Sequence, residues 1–391
     1  MRVCVVAEFY PRAHDPVLGV WAHRQALAAR DAGVDVHVVV LHRPIPPLST
    51  APSRLVPATR ELLAQPSRTE LDGLTVDYLR FVAPPRPRTY GSWGAWAAPA
   101  LALHLRRLRR HFAFDVVHAH NAVPAGEAIR RARVGVPLVV SVHGGDIFHT
   151  AIHHAAGARA VRRAFGAATL VLANSHGIER DARELGARRT RVVRLGTDLP
   201  EHVPAKAPVR TITTVGHLVH RKRHADVLRA LWLLRDRLPD LRYLVIGDGP
   251  ERETLARLAA DLGIADRVEL TGQLPHAEAL ARSRAAHLFA MPSIDEAFGV
   301  AYVEAMAAGL PVIGCYGEPG PQEIAEAGDG IQLVPPGDPE ALADAIAAEL
   351  ADPRSMAIRG ARARETVRRS FTWERCGTTT AAAYEEARAA R

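Results

Sequence analysis

Short apolar runs alternate along the whole chain with longer stretches of helical period. RVCVVAEF reads as a buried strand, followed by a loop and a helix from about Val20 to Ala32 that Gly33 ends. VDVHVVVL, LTVDYLRF, FDVVHAH, PLVVSVHGGD, TLVLANS and RVVRLGTD continue the strands, with helical stretches such as AGEAIRRARVG between them. Pro-rich stretches at about Arg43–Pro57 and Pro84–Gly94 read as surface excursions. PEHVPAKAPVR, residues 200–210, reads as a linker. Beyond it TITTVGHL, LRYLVIGDG, RVELTG, HLFAMPS, LPVIG and IQLV alternate with helices, and FTWERCGTTTAAAYEEARAA forms a last helix. Strands alternating with helices predict parallel sheets covered on both faces. The fold class is therefore α/β, with two doubly wound Rossmann-like domains facing across a cleft. Such sheets bind ligands beyond the carboxyl ends of their strands.

The bulk numbers narrow the class. A chain of 391 residues is too long for one ordinary core and fits two domains. No apolar run reaches the roughly 18 residues of a membrane span, and the N-terminus has no signal-peptide pattern. Cys4, Cys315 and Cys376 are far apart and form no disulfide or metal spacing. These features place the chain in a reducing cytoplasm, with peripheral contact to the inner face of a membrane as an extension. Charge is uneven: residues 1–200 carry 27 arginines and no lysine against 15 acidic residues, whereas residues 201–391 carry 23 basic against 27 acidic ones. The first half is expected to meet something anionic. Nucleic acid is not expected, because no binding motif or basic–aromatic interleaving accompanies the charge. An anionic membrane surface or a phosphate-bearing acceptor fits better. ALALHLRRLRRHFAF, residues 100–114, puts Leu101, Leu105, Leu108 and Phe112 on one face of a basic helix. That stripe suits either a membrane surface or the domain's own sheet.

Chemistry concentrates in PSIDEAFGVAYVEAMAAGLPVIG, Pro292–Gly314. Glu296 and Glu304 are spread across a loop running into a short helix, which Phe298 and Gly299 open and Gly309 and Pro311 close. The amides at a helix N-terminus suit a phosphate, while two carboxylates suit the hydroxyls of sugars and riboses. On the residues alone, a surface helix with an ordinary capping carboxylate is the plain alternative. The whole string, PS-x-x-EAFG-x-x-x-x-EAMA-x-GLPVI, resembles the retaining glycosyltransferases of family 4, which have the GT-B fold and move a sugar from a nucleotide diphosphate.

That resemblance implies an acceptor-binding domain over residues 1–199, the 200–210 linker, a nucleotide-sugar-binding domain over 211–370, and a C-terminal helix over 371–391 crossing back onto the first domain. It puts Lys222, one of two lysines in the chain, where the family has a diphosphate-clamping lysine. His217 stands where the family has arginine, with Arg221 as a substitute. Gly247 and Gly249 would let backbone approach the nucleotide, and TGQL, Thr271–Leu274, lies where the family puts the base. Glu296 would bind donor-sugar hydroxyls, the Phe298 and Gly299 backbone the sugar or phosphate, and Glu304 the ribose. Glu323 matches a weaker family segment. In the first domain Gly19 falls on a glycine turn near the diphosphate, and His143 on a histidine against the donor sugar. His118 and His120 either line the acceptor side or are structural. The expected catalytic residues are His143, Lys222 and Glu296. His118, His120, His143, His149, His153 and His154 crowd one region, but without a metal-ligand motif; neither metal nor other cofactor is expected, and the partners are a sugar nucleotide and a glycan, lipid-linked or small-molecule acceptor.

The implied activity is hexose transfer with retention of configuration. An epimerase or phosphorylase on the same frame, or a non-catalytic sugar-nucleotide-binding regulator, is the alternative. A dinucleotide-dependent dehydrogenase is disfavoured because EFYPRAHD, and not G-x-G-x-x-G, follows the first strand.

Overall fold

Valine-rich runs at the start of the chain become the centre of a parallel sheet. The computed structural model describes residues 1–153 and 155–390. It divides into two units, Met1–Leu195 with Trp373–Arg391, and Gly196–Thr372. In unit 1, β1 (Arg2–Ala7), β2 (Asp35–His42), β3 (Arg68–Leu71), β4 (Leu74–Arg80), β5 (Val116–His120), β6 (Leu138–Val142), β7 (Leu170–Ala173) and β8 (Thr190–Val192) form one sheet. Its order is β3-β4-β2-β1-β5-β6-β7-β8. Every pairing is parallel except β3 with β4, whose tight turn puts Asp72 and Gly73 at positive φ. In the register, Val3 sits beside both Val36 and Val116, and Val3 to Val6 are wholly buried.

The C-terminal helix Trp373–Ala389 belongs to unit 1, where it packs on helix Val20–Asp31. Gly377 makes the approach possible, since a Cβ there would stand 2.1 Å from the Ala28 carbonyl oxygen. Gln25 Nε2 donates to Thr380 Oγ1 at 3.1 Å, and Tyr384 OH meets His118 Nδ1 at 2.7 Å.

The basic helix Trp93–Leu108 ends before Phe112, and its Leu101, Leu105 and Leu108 are buried in unit 1 while Arg106, Arg107, Arg109 and Arg110 are exposed. Of the two readings of this stripe, the structure takes the domain one. The first Pro-rich stretch lies at the surface, as expected, with none of residues 43–57 buried. It runs into helix Leu55–Ala64, a helix with no buried residue. No helix of the described residues is long and apolar enough to cross a membrane.

Unit 2 has six parallel strands: β9 (Thr211–Val215), β10 (Arg242–Ile246), β11 (Val268–Leu270), β12 (Leu288–Ala290), β13 (Val312–Cys315) and β14 (Ile331–Val334). Their order is β11-β10-β9-β12-β13-β14, so the direction of winding reverses between β9 and β12. Open α/β sheets place ligands at such a reversal. Ile212, Leu231, Tyr243, Val245, Leu288 and Ile346 share the core. Residues 200–210 are held on this unit: Ala207 N donates to Ala285 O at 2.8 Å, and the Arg364 guanidinium donates to the Pro200 carbonyl.

Candidate functional site

The reversal in unit 2 is where the sequence candidates meet. A short 3₁₀ turn, His220–Lys222, follows β9, and the loop after β12 carries Glu296. Lys222 Nζ lies 2.5 Å from Glu296 Oε2, with Lys222 9% and Glu296 6% exposed. Ser293 Oγ donates to the same Oε2 at 3.1 Å, and Arg221 stands 3.8 Å away. Burial opposes charge on Glu296, yet Lys222, Arg221 and the Ser293 hydroxyl hold its carboxyl below the ordinary value. Burial also pulls the Lys222 ammonium below its ordinary value, against the pull of Glu296. The two loops are tied by backbone as well, Ile294 N donating to Arg221 O at 2.8 Å.

A second ring of contacts fixes the loop's shape. Glu296 N donates to Glu318 Oε2 at 2.9 Å, and Gly320 N donates to Glu296 O at 2.8 Å. Tyr302 OH lies 2.9 Å from Ser293 Oγ and 2.5 Å from the Met291 carbonyl, which it donates to. Ser293, Tyr302 and Glu318 were not among the sequence candidates. Glu318 is 22 positions from Glu296, and only the folded chain joins them.

The helix start differs from expectation. It spans Val300–Ala307, with Gly299 at its N-cap in the left-handed region and no side-chain cap. A Cβ on Gly299 would stand 2.4 Å from the Tyr302 ring, so glycine is required twice over. Phe298 precedes the helix, buried against Phe371 at 5.7 Å between ring centroids. Glu304 lies half-buried on the same helix.

Gly247 and Gly249, the glycines expected to let backbone approach the nucleotide, also pack against the unit's own backbone. A Cβ on Gly247, at φ +141°, would stand 2.0 Å from Gly216 O, and one on Gly249 would stand 2.5 Å from Leu218 O. Their packing holds His217 at the surface. Its Nδ1 lies 2.6 Å from the Asp248 carbonyl, which only accepts, so Nδ1 carries the proton and Nε2 is the other ring nitrogen.

Unit 1 gathers polar groups at its own strand ends. Gly19, at φ +66°, caps helix Val20–Asp31, and a Cβ there would meet the Phe9 carbonyl carbon at 2.2 Å. His143 stacks on His120, Nε2 to Nδ1 at 2.9 Å. His143 Nδ1, His120 Nε2 and Trp21 Nε1 are buried with no hydrogen-bond partner among the described residues. Burial holds His143 at about 4, so its ring is neutral at pH 7. Asp146 accepts from Ala122 N at 2.8 Å and Val123 N at 3.2 Å, and burial pushes its carboxyl up to about 6. His118 is structural: Tyr384 OH and Ser141 Oγ, each at 2.7 Å, take both its nitrogens. Among the described residues no three His, Cys, Asp or Glu side chains are placed to hold a metal ion; His154 lies outside them.

Known families match both units of the chain. The family described as Glycosyl transferases group 1 matches residues 198–366, and Glycosyltransferase Family 4 matches residues 18–201. The 2-deoxystreptamine glucosyltransferase of Streptomyces kanamyceticus is 32% identical over 294 residues, 66% of this chain and 74% of that protein. Among solved structures, sucrose-phosphate synthase from Thermosynechococcus elongatus has a TM-score of 0.79 at 20% identity, over 100% of both chains. Anabaena HepE in complex with UDP-glucose has a TM-score of 0.72 at 19% identity, over 98% of this chain and 99% of that one. Two Rossmann-like units with these matches make the chain an enzyme of the GT-B glycosyltransferases, and it belongs to glycosyltransferase family 4.

Proposed function

We propose that this glycosyltransferase moves a hexose from a nucleoside-diphosphate sugar to a glycan, lipid-linked or small-molecule acceptor, with retention and without a metal ion. The observation that carries the reading is the buried Lys222–Glu296 pair at the β9/β12 reversal. Its Glu296 sits in the loop leading to the uncapped N-terminus of helix Val300–Ala307, and its Lys222 in the turn after β9.

The groups divide the work in this reading, with Lys222 serving twice. Glu296 Oε2 is engaged by Lys222 and Ser293, which fixes the carboxylate plane toward sugar hydroxyls. Arg221, Lys222 and the amides after Gly299 neutralise the charge that grows on the leaving diphosphate. His217, with Nδ1 tied to Asp248 O, offers Nε2 to the same phosphates only when protonated. Glu304 accepts from ribose hydroxyls. His143 is assigned to the donor sugar through its backbone carbonyl. The acceptor hydroxyl attacks the anomeric carbon as the nucleoside diphosphate leaves through an oxocarbenium-like state. The leaving phosphate takes the acceptor's proton on the same face, so no side-chain base is needed. HepE, the structural neighbour crystallised with UDP-glucose, supports a sugar-nucleotide donor.

The test is the anomeric configuration of the product, read by NMR during turnover in EDTA. A retained anomer formed at the untreated rate fits the proposal. An inverted anomer, or activity abolished by EDTA and restored by a divalent cation, contradicts it.

A further inference from the structure

We infer that a cavity in unit 1, at the carboxyl ends of β1, β2 and β4, is the subsite for a phosphate carried by the acceptor. The inference rests on the glycosyltransferase reading and names the acceptor's chemistry. The cavity has a volume of about 460 Å³ and is lined by Glu8, Arg12, Asp15, Arg43, Arg86 and Trp93, among others. That volume lies within the range of small-ligand sites.

Its cations are held in fixed orientations, and two of the three are poorly neutralised. Arg12 Nη2 donates to the Glu8 backbone carbonyl at 2.9 Å, and its Nε is buried without a partner among the described residues. Arg43 donates to the carbonyls of Ala83 at 2.8 Å and Ile45 at 2.7 Å, while its guanidinium stacks on Trp93 at 5.1 Å. Carbonyls fix these guanidiniums without cancelling their charge. Burial draws both Arg12 and Arg43 below their ordinary values, outweighing the opposing pull of Glu8 on both and of Asp15 on Arg12. Arg86 stacks on Tyr90 at 4.2 Å and stands 3.7 Å from Glu8, and against burial Glu8 and Tyr90 hold its guanidinium above the ordinary value.

The carboxylates on the wall are fewer than the guanidiniums. Glu8 is largely committed, accepting from Tyr90 OH at 2.6 Å. Asp15 is the other carboxylate, and three arginines face the two. Guanidinium forks held in fixed planes match phosphate oxygens in pairs. The loop on the rim exposes Leu48 (72%) and Ile45 (36%), so the phosphate's other substituent meets apolar side chains.

The experiment uses the full chain with saturating nucleoside diphosphate, so that the unit 2 anion site is filled. The probes are glucose 1-phosphate in solution, a polyprenyl phosphate in phosphatidylcholine vesicles, and methyl glucoside as the uncharged control. At least one phosphate probe is expected to bind ten times tighter than the control. That preference should fall at least fivefold in Arg86→Gln and in Arg43→Lys, with nucleotide affinity unchanged. Whichever phosphate probe responds identifies a soluble or a lipid-borne acceptor. Equal binding of charged and uncharged probes, or a preference surviving both substitutions, overturns the proposal. Loss of nucleotide binding by the wild-type protein would count against the donor reading instead, because it is read on a different ligand.

Discussion

Replacing Lys222 with methionine removes an ammonium 2.5 Å from a carboxylate that is 6% exposed, while keeping most of the side chain's volume. Deleting one partner of a buried pair costs about 3–5 kcal/mol, because the other charge is left without compensation. Arg221 at 3.8 Å and the Ser293 hydroxyl remain, which puts the expected loss at about 3 kcal/mol, the lower end of that range. The loss should depend on pH with a definite sign. In the native protein the Glu296 carboxyl is held below its ordinary value, so it contributes stability above that value and loses it as pH falls. In Lys222→Met burial becomes the dominant influence and raises the carboxyl. Its contribution is then present at low pH and lost as pH rises. Native-state hydrogen exchange of residues 288–299, corrected for intrinsic rates, at pH 5 and pH 8 reads both effects. The variant should open about 100-fold more often at pH 8, following from about 1.4 kcal/mol per tenfold, and less so at pH 5. Lys222→Met combined with Glu296→Gln should recover most of the loss. Less than about 0.5 kcal/mol at both pH values, set against that range, would refute the buried-pair argument.

Three further predictions address the glycine packing, the C-terminal helix and the departure at His217. Gly247→Ala forces a Cβ to within 2.0 Å of Gly216 O at a positive φ, so a drop in melting temperature of many degrees is expected, and a native-like melt would contradict the packing. Tyr384→Phe leaves His118 Nδ1 buried and unpaired, at a cost of about 1–3 kcal/mol. Burial holds His118 at about 3, so its stabilisation is complete above pH 6.5 and is lost on acidification toward 3; exchange of helix Trp373–Ala389 should rise over that window, and a flat profile would argue otherwise. His217→Arg restores a charged fork and should tighten nucleoside-diphosphate binding severalfold in calorimetry, whereas weaker binding would remove His217 from the phosphate contacts.

The alternation of strands and helices was legible because most of these strands are buried on both faces and read as continuous apolar runs. What escaped had no such signature. β3 has half-buried and exposed residues only, and its RTEL sequence carries no apolar alternation. Helix Leu55–Ala64 buries nothing, so no stripe marks it from the Pro-rich stretch before it. At the site, Glu296, Lys222 and Glu304 were named through a motif, but the pairing of Lys222 with Glu296 spans 74 positions and has no local sign. Ser293 and Tyr302 lie inside the same string, 3 and 6 positions from Glu296, but no spacing signal marked their hydroxyls as supports for the carboxylate, and Glu318 lies beyond the string. Gly247 and Gly249 were visible as a turn, but their close neighbour, the 216–218 backbone, was not.

The claim that the β9/β12 reversal is a donor site is tested most directly by binding. Melting of the full chain would be followed with a panel of nucleoside diphosphates and sugar nucleotides in EDTA, for the wild type and Glu304→Ala. Ligand at about 100 times its Kd stabilises the fold by roughly 2.7 kcal/mol. The account predicts a selective shift with one base that Glu304→Ala abolishes. No shift with any member of the panel, or an equal shift in Glu304→Ala, would contradict it.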